Sequence, residues 1–365
     1  TLSAPFSRYK SGFDSGQTGH SNKEKPAQQW QELGHFGQRF VSLGASQKDI
    51  SLLTGLPAKE PIRVFVGLNR QEPDKALLEK MVQTALDEMD RTQAFTRRYI
   101  VIQGATGRGW IEEYSSQAVE YLTQGDVATV AIQYSYLPSQ FSFLLNGELA
   151  TFANSELINA VKQRLEQMPI DKRPKLLLAG ESLGAYASQS LFNNYDDVIN
   201  RIDGAVWVGT PRFSPLWQQL VANRNKGSTE ALPIIHSGQH VRFMDNPASL
   251  KQLTNDWQSP RIVFLQYATD PIVWWSSKML WQAPDWMAEP KGRGVSHLPR
   301  WLPVLSFWEL SLDMPASNQT PAGFGHIYED DIVYAWAAVL DNSQVDPKQV
   351  AERIEQRIAF TKENK

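Results

Sequence analysis

The sequence predicts an α/β fold, a mostly parallel sheet flanked by helices, and two observations indicate it. Apolar runs of strand length alternate with longer segments whose apolar residues recur at helical spacing, the pattern that builds a parallel sheet. One such run, Lys175-Leu-Leu-Leu-Ala179, leads directly into Gly180-Glu-Ser-Leu-Gly184 and helix-compatible residues. With 365 residues, 42% of them hydrophobic, the chain can bury a large core, and we favour one large domain over two modest ones.

The alternation along the chain predicts the individual elements. Predicted strands cover residues 62–68, 99–103, 127–132, 204–208 and 261–267, besides the run before Gly180, and residues 241–244 are a possible strand. Ser46-x-x-Asp49 resembles a capping box that opens a short helix. The helix that precedes the apolar run Lys175–Ala179 is predicted to begin at Asn154 or Ser155, either of which can act as its N-cap.

The motif around Ser182 has the spacing of a nucleophile elbow, in which a serine stands clear of the backbone between a strand and a helix. A turn that tight leaves little room for side chains at the flanking positions, here Gly180 and Gly184. The helix that follows directs its first N–H groups, beginning with that of Leu183, at the place where an oxyanion forms. Such short matches also occur by chance, but the strand before this motif and the helix after it favour a serine hydrolase.

The composition excludes several classes of function. Lys and Arg number 36 against 39 Asp and Glu, so the net charge of −3 gives no electrostatic footprint for nucleic acid. The absence of cysteine excludes disulfides, thiolate metal sites and a cysteine nucleophile. No clustered carboxylate or His-x-x-x-His pattern favours a metal, and we expect no cofactor.

Residues 1–34 are predicted to be a lead-in or linker, and residues 35–365 the catalytic domain. The opening stretch is polar and rich in Ser, Gly, Lys and Gln, which is typical of segments with little structure of their own. No apolar run reaches the roughly 18 residues that span a bilayer. Because the sequence starts at Thr1 rather than Met, we expect a processed or excised piece whose targeting or anchoring segment lies upstream.

An elbow serine needs a general base, and His326 is the histidine that the sequence favours. It lies in the loop Gly323-Phe-Gly-His-Ile-Tyr328, directly before a helix with an acidic first turn. With an elbow serine the partners follow in the chain order Ser, Asp or Glu, His, so a late loop histidine is where the base belongs. His240 and His297 also follow the serine, and we expect structural roles for both.

Asp270 is the favoured acid of the site. It leaves the carboxyl end of the predicted strand over residues 261–267, and from there its carboxylate can reach the histidine. The other interpretation is a turn residue, because Asp-Pro commonly opens turns. Asp245, in Met244-Asp-Asn-Pro247, has the same local pattern and is the alternative acid.

The second oxyanion donor is predicted in the glycine-rich turn from Gly104 to Gly109, with the N–H of Thr106 or Gly107 nearest. A glycine-rich turn can instead hold phosphate. This one lacks the Gly-Lys-Ser or Gly-Lys-Thr ending of a P-loop and does not match Gly-x-Gly-x-x-Gly, so nucleotide binding is disfavoured.

Tryptophan is concentrated in one part of the chain, since seven of the 12 lie between Trp257 and Trp308. This segment is predicted to be an insertion or cap that lines an acyl or lipid pocket, or an amphipathic surface at a membrane interface. The third interpretation is that large aromatic side chains fill the core. The sequence leaves the three open.

Six stretches of the sequence together resemble a known family. They are Glu60-Pro-Ile-Arg-Val-Phe-Val-Gly67, Thr106-Gly-Arg-Gly-Trp-Ile111, Gly125-Asp-Val-Ala-Thr-Val-Ala-Ile-Gln-Tyr-Ser-Tyr136, Ser182-Leu-Gly-Ala185, Gln266-Tyr-Ala-Thr-Asp-Pro271 and Gly323-Phe-Gly-His326. They are similar to stretches of bacterial multi-spanning membrane proteins with a C-terminal α/β-hydrolase domain. Some members are encoded beside aminoacyl-phosphatidylglycerol synthases and are reported as hydrolases of those aminoacylated lipids.

The resemblance implies an α/β-hydrolase fold, a triad of Ser182, Asp270 and His326, and membrane helices upstream of this chain. It also implies an extracytoplasmic domain at the cell membrane that hydrolyses the aminoacyl ester of alanyl- or lysyl-phosphatidylglycerol. A lipase, thioesterase or acyltransferase for long acyl chains is the alternative enzyme. A catalytically silent hydrolase-like domain that serves as a lipid-binding or scaffolding module is the rival from another class.

One residue departs from the pattern of that family. The elbow residue before the serine is usually apolar in the family, whereas here it is Glu181. One hypothesis is that this carboxylate pairs with the α-ammonium of an aminoacyl ester. The other is that it hydrogen-bonds the elbow.

Overall fold

Parallel strands with helices between them carry the fold in the computed structural model, which describes residues 27–137, 139–296, 300–342 and 344–363. Within these residues the strands are β1 (Ile62–Val66), β2 (Tyr99–Gly104), β3 (Val127–Ile132), β4 (Lys175–Glu181), β5 (Gly204–Val208), β6 (Val241–Met244) and β7 (Arg261–Leu265). Their order in the sheet is β1-β3-β2-β4-β5-β7-β6. The pairs β1·β3, β2·β3, β2·β4, β5·β7 and β6·β7 are all parallel. The predicted fold class is confirmed.

Helices fill the connections between the strands, as a parallel sheet requires. They are α1 (Gly34–Ser42), α2 (Gln47–Thr54), α3 (Lys75–Arg91), α4 (Glu113–Leu122), α5 (Ser139–Glu166), α6 (Leu183–Gln189), α7 (Tyr195–Arg201), α8 (Pro215–Ala222), α9 (Pro247–Lys251), α10 (Pro271–Trp274), α11 (Asp285–Ala288), α12 (Leu305–Asp313), α13 (Glu329–Leu340) and α14 (Pro347–Glu363). Short 3-10 helices cover Trp30–Leu33, Ala94–Thr96, Ile170–Lys172, His236–Gly238, Ser277–Leu280 and Met314–Gln319. No helix among the described residues combines the length and the apolar character needed to cross a membrane.

The chain divides into two compact units. The first comprises Thr1–Leu191 and Asn342–Lys365, and it contains β1 to β4, α1 to α6 and α14. The second comprises Phe192–Asp341, and it contains β5 to β7 and α7 to α13. Residues 1–26 of the predicted lead-in lie outside the described residues, and the predicted domain boundary at residue 35 stays a prediction.

The strand predictions agree with the structure to within two residues at each end, and one strand was predicted only as a possibility. The short β6 lies between β5 and β7 in the sequence and pairs with β7. Its apolar run is interrupted by Arg242, whose side chain is buried and donates to the backbone carbonyls of Gly238 and Leu250. Because backbone carbonyls satisfy this guanidinium, a charged residue is tolerated inside a buried strand.

The predicted cap of the helix before the motif is wrong. Helix α5 already begins at Ser139, and Asn154 lies in its interior, where the side-chain amide donates to the carbonyl of Ala150 at 2.9 Å. An asparagine that bonds back to the preceding turn no longer acts as a cap. Since α5 packs against both α3 and α6, tertiary contacts hold this segment helical in spite of its weak local propensity.

Helix α14 fastens the C-terminal part of the first unit to α2. The Ser46 hydroxyl accepts the Asp49 N–H at the start of α2, as the capping pattern predicts. The Asp49 carboxylate pairs with Arg353 at 2.5 Å and Arg357 at 3.1 Å, and it accepts the hydroxyl of Tyr121. Desolvation by itself raises the pKa of Asp49, but the hydrogen bonds from Arg353 and Tyr121 and the two guanidinium charges outweigh it and lower the pKa.

We expect Asp49→Asn to lower the free energy of unfolding by about 1–2 kcal/mol at neutral pH, because the substitution removes the charge and keeps the shape. A carboxylate whose pKa falls on folding stabilises the protein above its unfolded pKa of about 3.9, and this stability is lost as pH falls through the folded pKa. Urea unfolding should therefore show the two proteins converging in stability below about pH 4.

The matched control for this prediction is Asp74→Asn, at the N-cap of α3. Asparagine caps helices about as well as aspartate, so the free energy of unfolding at neutral pH should stay within about 0.5 kcal/mol of the wild-type value. A gap between wild type and Asp49→Asn that persists undiminished in acid would contradict the role of the Asp49 charge.

Candidate active site

Ser182 occupies a strained turn between β4 and α6. Its φ is 53° and its ψ is −118°, a backbone conformation that residues with a side chain rarely adopt. The serine is partly exposed, whereas the neighbouring Glu181 and Leu183 are each 8% exposed. Strand, strained serine and helix therefore follow one another in the order that the motif predicts.

Backbone crowding explains the two glycines of the motif. Gly104 in β2 pairs in register with Gly180 in β4. A Cβ atom on Gly184 would lie 2.1 Å from the carbonyl oxygen of Gly104, and one on Gly180 would lie 2.4 Å from the carbonyl carbon of Gly184. Helix α6 thus begins in direct backbone contact with the end of β2, where no side chain fits.

The glycine-rich turn after β2 closes on itself. The N–H of Thr106 donates to the carbonyl of Trp110 at 3.0 Å, and the N–H of Gly109 donates to the carbonyl of Thr106 at 2.7 Å. The Thr106 N–H could serve as an oxyanion donor only if its hydrogen bond to the Trp110 carbonyl opened. The two hydrogen bonds that close the turn do not involve the N–H of Gly107. The N–H of Leu183 belongs to the first turn of α6, where helix N–H groups lack intrahelical acceptors.

In the second unit, Asp270 and His326 form a buried pair. The Asp270 side chain is 0% exposed and His326 is 7% exposed. His326 Nδ1 lies 2.6 Å from Asp270 Oδ2, and Asp270 Oδ1 accepts the N–H of Ile272 at 2.9 Å, which caps α10. An imidazole held in this way donates its Nδ1–H to the carboxylate and keeps Nε2 as the basic nitrogen.

The loop before α13 is shaped to hold His326. The His326 N–H donates to the Ser317 carbonyl at 2.9 Å, and the Gly325 N–H donates to Thr269 Oγ1 at 3.0 Å. A Cβ atom on Gly209, just after β5, would lie 2.6 Å from His326 Cε1. The imidazole therefore lies against a glycine backbone with φ of 54°, where a side chain would displace it.

The alternative residues have other contacts. Asp245 Oδ1 accepts the side-chain amide of Asn246 at 2.7 Å. His240 Nδ1 lies 3.2 Å from the carbonyl of Gln258 and 3.1 Å from that of Pro260, so it pairs with backbone. His297 lies outside the described residues. Of the predicted candidates, the structure therefore brings Asp270 and His326 together within hydrogen-bonding distance.

Tyr328, which no sequence pattern singled out, also contacts Asp270. The Tyr328 hydroxyl donates to Asp270 Oδ2 at 2.7 Å. Burial, and then the negative charge of Asp270, raise the pKa of Tyr328 well above its ordinary value, so the hydroxyl remains a donor. Its position two residues after His326 is the only signal in the sequence, and that spacing alone does not distinguish it from a core tyrosine.

The Trp-rich segment divides between core and surface. Trp274 is 2% exposed and Trp286 is 8% exposed, whereas Trp281 and Trp308 are 66% and 55% exposed. The interpretation as core therefore holds for part of the segment only. Among the described residues, no cluster of three or more His, Asp and Glu side chains is placed to hold a metal ion.

The sheet order, the strained serine between β4 and α6, and the buried histidine–carboxylate pair define the class of a hydrolase with an α/β fold. A sequence profile of the alpha/beta-hydrolase family matches residues 62–353, and the chain belongs to that family. The comparison with curated proteins and the comparison with solved structures each returned no match.

We expect Asp270→Asn to lower kcat/KM for a soluble p-nitrophenyl ester about 10⁴-fold, because a neutral amide no longer holds the imidazole in the tautomer that leaves Nε2 basic. Asp245→Asn is the matched control and should retain most of the activity, since Asp245 bonds Asn246 and not His326. If Asp245→Asn lowered kcat/KM more than Asp270→Asn does, Asp245 would be the acid of the site.

Proposed function

We propose that the chain is a serine esterase that releases the amino acid from aminoacyl-phosphatidylglycerol, alanyl or lysyl, at a membrane surface. The observation that carries the serine mechanism is the buried pair in which Asp270 holds His326 Nδ1 at 2.6 Å. A surface or capping histidine has no need of a fully buried carboxylate. The elbow conformation of Ser182 supports the same assignment.

In the proposed mechanism His326 Nε2 takes the hydroxyl proton of Ser182 while the serine oxygen attacks the ester carbonyl. The Leu183 N–H, with a second N–H from the turn at Gly107, stabilises the oxyanion. Collapse of the tetrahedral intermediate breaks the ester C–O bond, and the imidazolium protonates the departing glycerol oxygen of the lipid. Water, deprotonated by the same histidine, then attacks the carbonyl carbon of the aminoacyl-serine. The bond to Ser182 Oγ breaks, the imidazolium returns its proton to that oxygen, and the amino acid leaves.

The lipid part of the proposal is supported by the resemblance of the motif stretches and by exposed apolar side chains in the second unit. Six large apolar side chains between residues 281 and 312 are each at least 49% exposed: Trp281, Leu302, Val304, Leu305, Trp308 and Leu312. Tryptophan and leucine side chains of this kind favour the boundary between water and acyl chains. We propose that the domain works on the extracytoplasmic face of the cell membrane and that an upstream anchor holds it there.

The function is tested on liposomes that contain alanyl- and lysyl-phosphatidylglycerol, with free amino acid and free fatty acid quantified in the same tube. We expect wild type to release amino acid without fatty acid. Ser182→Ala should lower that rate at least about 10³-fold, because the nucleophile is lost.

Each other outcome of this assay names a different function. Serine-dependent release of fatty acid would assign a lipase, or a thioesterase or acyltransferase of long acyl chains, in place of the aminoacyl esterase. Release of neither product, together with failure of a fluorophosphonate probe to label Ser182 in folded protein, would indicate a silent lipid-binding domain.

We also propose that Glu181 recognises the α-ammonium group of the aminoacyl ester. Its position directly before the serine, and its burial to 8% exposure, would strengthen a charge pair there. We expect Glu181→Gln to lower kcat/KM for alanyl-phosphatidylglycerol about 10- to 100-fold and to change a neutral ester of similar size much less. Equal effects on the two esters would leave Glu181 with a purely structural role at the elbow.

A further inference from the structure

We propose that Tyr328 is a positioning residue that holds the Asp270 carboxylate in the orientation from which it directs His326. This inference rests on the serine hydrolase function proposed above. It assigns a specific task to a residue that the predicted triad does not include.

The geometry of the carboxylate supports this task. Asp270 Oδ2 contacts both His326 Nδ1, at 2.6 Å, and the Tyr328 hydroxyl, at 2.7 Å, while Oδ1 accepts the Ile272 N–H at 2.9 Å. A carboxylate with 0% exposure is shielded from bulk solvent, so these donors supply its solvation. Tyr328 donates to the same oxygen that faces the base.

The tyrosine itself is held from two sides. Its ring stacks on that of Tyr267, with 4.3 Å between the ring centroids and 19° between the planes. The backbone N–H of Tyr267 donates to the Tyr328 oxygen at 3.3 Å. Because the oxygen already accepts that N–H, the single hydroxyl proton is directed at Asp270.

The hydroxyl also weakens the electrostatic effect of Asp270 on the base. The hydrogen bond from Tyr328 stabilises the negative charge on Oδ2, so the carboxylate stabilises the imidazolium form of His326 less strongly. Without that donor, the charge acts more fully on His326 and raises the pKa of the imidazole. The base would then stay protonated, and inactive, up to a higher pH.

Other titratable and charged groups lie around Tyr267, the residue on whose ring Tyr328 stacks. The Tyr267 hydroxyl donates a hydrogen bond to Asp331 Oδ2 at 2.7 Å. The Asp331 carboxyl group also interacts electrostatically with Arg293, Asp330 and Asp245. The Arg293 guanidinium lies over the ring of Tyr267 at 5.6 Å. A substitution at Tyr328 retains all five of these groups, so a change in the pH profile reports the lost hydroxyl.

The test compares Tyr328→Phe with the matched control Tyr267→Phe, using the pH dependence of kcat/KM for a soluble ester. For Tyr328→Phe we expect the acid limb to move to higher pH by roughly half to one unit and kcat to fall about tenfold. Tyr267→Phe removes the neighbouring hydroxyl and keeps the N–H that Tyr328 accepts, so its acid limb should match wild type. An unchanged acid limb in Tyr328→Phe would overturn the proposal.

A variant that preserves the ring and its packing guards against misfolding. Difluorotyrosine incorporated at position 328 makes the hydroxyl a stronger donor, so the acid limb should move to lower pH, opposite to Tyr328→Phe. If the ring had only a structural role, the acid limb of the difluorotyrosine variant would lie at the same pH as that of wild type.

Proton NMR separates this inference from the proposed function. The proton between His326 Nδ1 and Asp270 Oδ2 should give a far-downfield resonance that is absent in His326→Ala. The chemical shift of this proton should differ from the wild-type value in Tyr328→Phe and equal it in Tyr267→Phe. If wild type hydrolyses no ester while the resonance responds in this way, the function fails and the positioning role stands. If wild type is active and the resonance is the same in both variants, the positioning role fails.

Discussion

The buried carboxylate of Asp270 is the constraint on which the second unit depends. A carboxylate with no exposure to solvent is tolerated only when hydrogen-bond donors surround it. Three segments supply those donors: the start of α10, the loop that carries His326, and Tyr328 at the start of α13. Solvating one carboxylate therefore also fixes the relative positions of the segments that follow β7 and precede α13.

In the first unit the corresponding constraint is steric. Gly104 and Gly184 bring two backbone segments closer than any side chain allows, and Ser182 adopts its positive φ at this contact. A strained residue of this kind costs of order 1–3 kcal/mol, and packing of the surrounding segments must outweigh that cost. Helix α6 packs on both β2 and β4, which supplies that packing. The partly exposed position of Ser182 is thus a consequence of the core packing beneath it.

The features that the sequence predicted well are local ones. Apolar runs and glycine spacing act over a few residues, so the strands and the elbow could be located before any contact was known. The cap at Asn154 was wrong because packing of α5 against α3 and α6 outweighs a weak local signal. Tyr328 could not be predicted because no motif marks a second donor to Asp270, and a tyrosine two residues after His326 looks the same in the sequence as a core tyrosine. Residues 1–26 and His297 lie outside the described residues, so the predictions there stand as they were made.

The link between α2 and α14 has a consequence for synthesis of the chain. Asp49 meets Arg353 across a separation of 304 residues, so the ribosome must complete the whole second unit before this contact can form. At typical elongation rates of about 5–20 residues per second, the carboxylate waits roughly 15–60 s for its partner. During that interval the nascent first unit exposes the surface of α4 and α2 that α14 later covers. That surface therefore stays open to chaperones that bind nascent chains for as long as the second unit is being synthesised.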